Sequence, residues 1–256
     1  MSNDCAQKVP DSLDRAHVVR ACIVVAFFVA VAVAGLYLLW GGQGGNISYR
    51  DMACSFEDRP AGCVDSVPGW NEGLSFYDFT LSVTGDTLQS LKSLLWDFWG
   101  IEFAGAGEAA VSRESILPLQ VLQLKMSGCM GLSWLALMVA EARNIELHAV
   151  LLPGHVFLKY GQAARENVQN LEPNRKGFAY TDEEYREKYK AGPWTGLEFR
   201  PLSAREFIGL GAFDMGNLYL QSDAARALKW YRGAESLFPE YPGIAENQKV
   251  AKNLLF

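Results

Sequence analysis

Four side chains in the 256-residue chain could together carry acyl-transfer chemistry: Cys129, His155, Asn170 and Glu172. Cys129 begins an apolar run at helical spacing, through Leu132, Leu135, Ala136, Val139 and Ala140. At a helix N-terminus the unpaired N–H groups and the macrodipole favour a thiolate, the nucleophilic form of cysteine. Gly128 and Gly131, on either side, would let a substrate backbone approach closely. A cysteine nucleophile also needs an imidazole to take its proton and later protonate the leaving amine. The chain has three histidines, His17, His148 and His155, and His155 is the one set rigidly at the start of a strand by Pro153-Gly154. A third group must orient the imidazole. Asn170 and Glu172 lie two apart in one β-forming run, hence on one face, and both could reach it. Zinc on Cys129, His155 and Glu172 is the competing chemistry, but no paired-ligand spacing such as HExxH occurs, so neither metal nor other cofactor is expected.

The elements that must position these residues are legible as periodicities. Residues 86–99 carry Leu88, Leu91, Leu94, Leu95 and Phe98 at helical spacing, with Asp86 as N-cap and Gly100 as terminator. A second helix is expected over 115–125, with Pro118 tolerated in its first turn, and a third over 129–143. Residues 147–152, 156–160 and 168–172 read as antiparallel strands, the first two joined at Pro153-Gly154 and the last ended by Pro173-Asn174. A helix packed on a small antiparallel sheet gives the α+β class. After Thr181 the run DEEYREKYK pairs Glu184 with Lys188 at i,i+4, the pattern of a solvated helical face. From Ala204 onward the pattern is helical. Gly216, Tyr219, Ala227, Tyr231, Ala234 and Pro239 resemble one tetratricopeptide unit, and 242–255 reads as a capping helix. A lone unit cannot bury both faces, so it is expected to dock on the preceding domain or on a partner.

The stretch SGCMGLSWLALMVAEARNIELHAVLLPGHVFLKY, followed by NLEPNRKG, resembles the transglutaminase-like superfamily, the circle of papain-like acyl-transfer domains. It is similar in particular to a bacterial branch, several of whose members carry tetratricopeptide-like C-terminal helices. The resemblance implies a papain-like core, with Cys129 as nucleophile, His155 as general base and acid, and Glu172 as the group orienting His155. Two departures stand out. Ser127-Gly128-Cys129 replaces a common Gly-Asn-Cys, and Glu172 replaces an aspartate, adding a methylene that leaves Asn170 as the other possible orienting group. The oxyanion would be met by the backbone N–H of Cys129 and a second donor. Gln123, six residues upstream, stands at the interval where papain-like enzymes often place a glutamine.

Residues 21–40 form a run of twenty without a charge, about 30 Å long as a helix and so matched to a bilayer core. Ala32-Val33-Ala34 resembles a cleavage site, but the apolar run continues beyond it, favouring an uncleaved anchor. Lys8, Arg15 and Arg20 precede the run, and the next basic residue is Arg50, so the N-terminus is expected in the cytoplasm and the rest is expected to be exported. In an exported segment Cys54 and Cys63 are expected to close a disulfide loop. The expected organisation is a cytoplasmic tail (1–20), a transmembrane helix (21–40), a linker with the disulfide (41–70), of which 41–46 is a flexible spacer, a catalytic domain (71–200) and a helical segment (201–256). With 50% hydrophobic and 20% charged residues the chain is not disordered, and a net charge of −6 argues against nucleic acid as partner. The expected function is a membrane-anchored cysteine acyl-transfer enzyme acting on amide bonds of a peptide or protein, by hydrolysis or transamidation. The rival is a non-catalytic module binding a peptide or an envelope protein.

Overall fold

The computed structural model describes residues 47–161 and 168–255. The apolar run at 21–40, the spacer at 41–46 and His17 lie outside the described residues. Among the described residues no helix is long and apolar enough to cross a membrane.

The first described element, α1 (Tyr49–Phe56), falls where a linker was expected, and this expectation is corrected. Ser48 caps α1, and Met52, Ala53, Cys54 and Phe56 are buried. Trp134 donates its indole N–H to the Tyr49 carbonyl at 3.0 Å, and its ring meets Phe56 edge-on. A disulfide joins Cys54 to Cys63, whose Cα atoms are 5.8 Å apart. The bridge ties α1 to a 3-10 turn, Cys63–Ser66, that leads into α2 (Trp70–Thr84).

Asp86 caps α3 (Thr87–Lys92), its carboxylate accepting from the Gln89 N–H at 2.9 Å. The expected helix does not continue regularly to 99. Residues Ser93–Phe98 form a π-helical turn, in which Leu94, Leu95 and Trp96 are all buried. After β1 (Glu102–Phe103) and α4 (Ala106–Val111), a 3-10 turn at Arg113–Ser115 precedes α5 (Pro118–Leu124). The helix expected from 115 thus begins at Pro118, because a residue before proline is pushed out of helical geometry and Leu117 is extended. β2 (Met126–Ser127) pairs in parallel with β1 and delivers the chain to α6 (Cys129–Arg143).

The three-stranded sheet is antiparallel, in the order β3 (Leu147–Leu152), β4 (His155–Tyr160), β5 (Gln169–Leu171). The helix α6 packs on it through an almost wholly apolar face, with Trp134, Leu135, Met138 and Val139 buried. The short helix α7 (Asp182–Lys188) follows, and residues 199–202 bond along the free edge of β3 through Phe199 and Leu202. Three helices complete the chain: α8 (Ala204–Tyr219), α9 (Ala224–Leu237) and α10 (Pro242–Asn253). They dock on the preceding domain. Phe207 of α8 meets Trp134 and Tyr49, and Trp230 of α9 meets Phe56.

Candidate active site

The position of Cys129 follows from how closely the chain packs around the start of α6. Gly128 caps the helix in extended geometry, and Cys129 is its first residue, free and partly exposed. A Cβ at Gly131 would fall on Ser127 Oγ and lie 3.0 Å from the Ser115 carbonyl; one at Gly128 would lie 2.9 Å from Ala109 Cβ. Ser127 Oγ itself donates to the Ser115 carbonyl at 3.2 Å. These two glycines therefore admit the protein's own loop rather than a substrate backbone, which corrects the sequence-based role. The contact locks the loop that presents Cys129.

His155 is the first residue of β4, opposite Leu152 across a two-residue turn in which Gly154 takes a φ of 66°. A positive φ without steric penalty is what glycine provides there. The tightness of that turn, backed by packing of Gly192 on Pro153, leaves the imidazole little freedom. Its ring is 6% exposed and stacks parallel to Tyr189, with centroids 5.5 Å apart.

Glu172 completes the cluster from the end of β5. Its Oε2 lies 2.9 Å from His155 Nε2. With Nε2 engaged there, Nδ1 is the ring nitrogen left free, and Cys129 lies near enough to His155 to act on its titration. The carboxylate is 1% exposed, yet both its oxygens are satisfied. Oε1 accepts from the Asn174 N–H at 3.0 Å, and Oε2 accepts a second bond from the Tyr185 hydroxyl at 2.9 Å.

The electrostatics follow from these contacts. Burial alone would disfavour an imidazolium, but the hydrogen bonds and charges of Cys129 and Glu172 outweigh it and lift His155 to about 9. Burial likewise works against a charged Glu172, and the bonds from His155, Asn174 and Tyr185 still hold it below the usual carboxylate range. The site is thus built to carry a proton on His155 beside an ionised Glu172.

The other expected participants lie elsewhere. Asn170 donates to the Tyr180 carbonyl at 2.7 Å and to Asp182 Oδ1 at 2.8 Å, in a network shared with Lys159. The strand β5 ends at Leu171, Glu172 continues extended in a bridge to Phe178, and Pro173–Arg175 forms a 3-10 turn; Asn170 is engaged by Tyr180 and Asp182, and it is Glu172 that meets His155. Gln123 is exposed on α5 and takes no part in the described hydrogen bonds of the cluster. His148 sits on β3 at 4.0 Å from Glu146. No grouping of three metal-ligating side chains occurs among the described residues.

Sequence reasoning missed Tyr185 and Tyr189. The run DEEYREKYK is not a purely solvated face, because Tyr185 is fully buried and Tyr189 covers His155. Their i,i+4 spacing was the available signal: two large rings on one side of an otherwise charged helix.

A family model described as the transglutaminase-like superfamily matches residues 79–255. No curated protein and no solved structure matches the chain. The matched span includes Cys129, His155 and Glu172 and covers more than half of the sequence, and the chain belongs to the transglutaminase-like superfamily.

Proposed function

We propose that the protein is a cysteine acyl-transfer enzyme acting on amide bonds of peptide or protein substrates, tethered to a membrane by residues 21–40. The single observation that carries this reading is the buried His155, hydrogen-bonded to Glu172 and close to the free thiol of Cys129. In the forward step the proton of the Cys129 thiol already rests on His155, and the thiolate attacks the amide carbonyl carbon. The tetrahedral intermediate places its oxyanion by the backbone N–H of Cys129. As the C–N bond breaks, the imidazolium returns the proton to the leaving amine, and a thioester remains on Cys129. His155 then deprotonates water, giving the acid, or an acceptor amine, giving a new amide. Glu172 holds the Nε2–H throughout and stabilises the imidazolium.

The charge-free run at 21–40, preceded by three basic residues, supports an inner-membrane anchor with the domain on the exported side. The Cys54–Cys63 disulfide fits an oxidising compartment.

Acylation tests the reading. Incubated with an activated ester such as p-nitrophenyl acetate, the wild type should gain one acetyl group on Cys129, removable by hydroxylamine and seen by intact-mass and peptide mass spectrometry. The adduct should vanish in Cys129→Ala and form far more slowly in His155→Ala. An absence of adduct, or one indifferent to His155, would contradict catalysis and leave a peptide- or protein-binding module.

A further inference from the structure

We propose that Tyr185 is a positioning residue of this site, its hydroxyl pinning the Glu172 carboxylate against His155 Nε2. The inference rests on the acyl-transfer reading and extends it to a residue on a different element, α7.

A glutamate reaching His155 has one more rotatable bond than an aspartate, so its carboxylate must be fixed by something other than a short side chain. Three donors do this: the Asn174 N–H on Oε1, and His155 Nε2 and the Tyr185 hydroxyl on Oε2. Of these, Tyr185 is the one that neither follows Glu172 closely in sequence nor reacts. Its ring is fully buried in an apolar cluster with Val150, Leu152 and Phe157, stacked on Phe157 at 4.3 Å. A phenylalanine would fill that cluster equally well, so the hydroxyl is explained by Glu172 rather than by packing.

The hydroxyl's position is itself fixed from the strands that carry the site. Thr181 and Glu184 form a reciprocal cap at the start of α7. Asp182, in the first turn, accepts from Lys159 on β4 and Asn170 on β5, both at 2.8 Å. One turn further on, Tyr185 is thereby held in register with His155 on β4 and Glu172 beyond β5. Asn170 acts here through Asp182 and α7. Burial and the neighbouring Glu172 both push the Tyr185 phenol upward, so it remains a donor at every pH at which the site works.

The test is the pH dependence of Cys129 acylation by p-nitrophenyl acetate in the full chain, comparing wild type, Tyr185→Phe, Glu172→Gln and the double variant. Losing the donor should make Glu172 easier to protonate, moving the acid limb of Tyr185→Phe up by about one pH unit, so that on the limb itself acylation at a given pH slows up to about tenfold. In the Glu172→Gln background the same substitution should leave the limb where it is, because no carboxylate remains to titrate. Superimposable profiles for wild type and Tyr185→Phe, or an equal shift in both backgrounds, would overturn the proposal. If the wild type forms no adduct, the acyl-transfer reading fails, and the His155 titration followed by NMR still decides on Tyr185. Its midpoint should fall by about one unit in Tyr185→Phe, and an unchanged midpoint overturns the positioning role.

Discussion

The Cys129 site and the C-terminal helices α8–α10 are held together by different physics. At the site the buried carboxylate has a named partner on each oxygen, and a one-atom change removes a donor from Glu172 or an acceptor from His155. In the helices, backbones approach through small residues. Gly216 lies against the ring of Tyr231, and Gly209 against Phe238 and Leu237. Capping by Ser203 with Glu206 and by Asp223 then fixes where α8 and α9 begin. The first region concentrates its information in directional bonds, which set reactivity. The second spreads it over contact area, which sets stability. Substitutions should therefore separate the two properties.

The largest separation is expected from Glu172→Gln. Removing the charge that faces His155 should slow Cys129 acylation at pH 6 by roughly 10- to 1000-fold, read by stopped-flow release of nitrophenol. Far-UV circular dichroism should show α8–α10 undisturbed. An equal loss of helicity and reactivity would break the distinction.

Gly131→Ala should strike both properties, because the loop at the head of α6 belongs to the site and to the core alike. The added methyl meets Ser127 Oγ and the Ser115 carbonyl. Overpacking of this kind costs about 1–3 kcal/mol in denaturant unfolding, and displacement of Cys129 should lower acylation as well. Gly216→Ala is its counterpart in the helices. The methyl meets the Tyr231 ring, so a loss of about 1–3 kcal/mol is expected with the acylation rate of the folded protein unchanged. A loss of reactivity there would show that the two regions are coupled.

The smallest effect concerns pH. A folded-state value raised above the unfolded one means that His155 contributes stability fully below about 6.5 and loses it as pH climbs through about 9. Glu172 has the opposite sign, contributing above the ordinary carboxylate range and losing its contribution as pH falls through its lowered folded value. Raising the pH from 6.5 to 9.5 should thus lower Tm by several degrees, and His155→Gln should abolish that part of the slope. A Tm of the wild type that is flat over this interval would count against a charged His155.

The same contrast explains what could be read from the sequence. Local signals with one dominant cause were legible. Asp86 caps a helix, Pro118 starts one, Cys129 heads a third, and Pro153-Gly154 closes the hairpin that presents His155. Features decided by contacts between distant segments were not. The glycines beside Cys129 looked like room for a substrate, and only the approach of Ser115 shows what fills that space. Helix α1 read as linker because eight residues give too little periodicity, and its burial depends on Trp134, far along the chain. The choice between Asn170 and Glu172 was likewise decided by distant partners, because Tyr180 and Asp182 engage Asn170 while Glu172 meets His155. Tyr185 was hidden by the charges around it, although its function depends on an atom thirteen residues away.

The central claim is that Cys129 and His155 act as one chemical unit, and the most direct measurement is the iodoacetamide alkylation rate of Cys129 against pH. It would be followed by quantifying the Cys129 peptide in wild type and His155→Ala. The account predicts fast alkylation persisting below pH 7 in the wild type, where an ordinary thiol of pKa about 8.5 is mostly protonated. In His155→Ala it predicts a profile that retreats towards that of a free thiol. Identical profiles in the two proteins would contradict it.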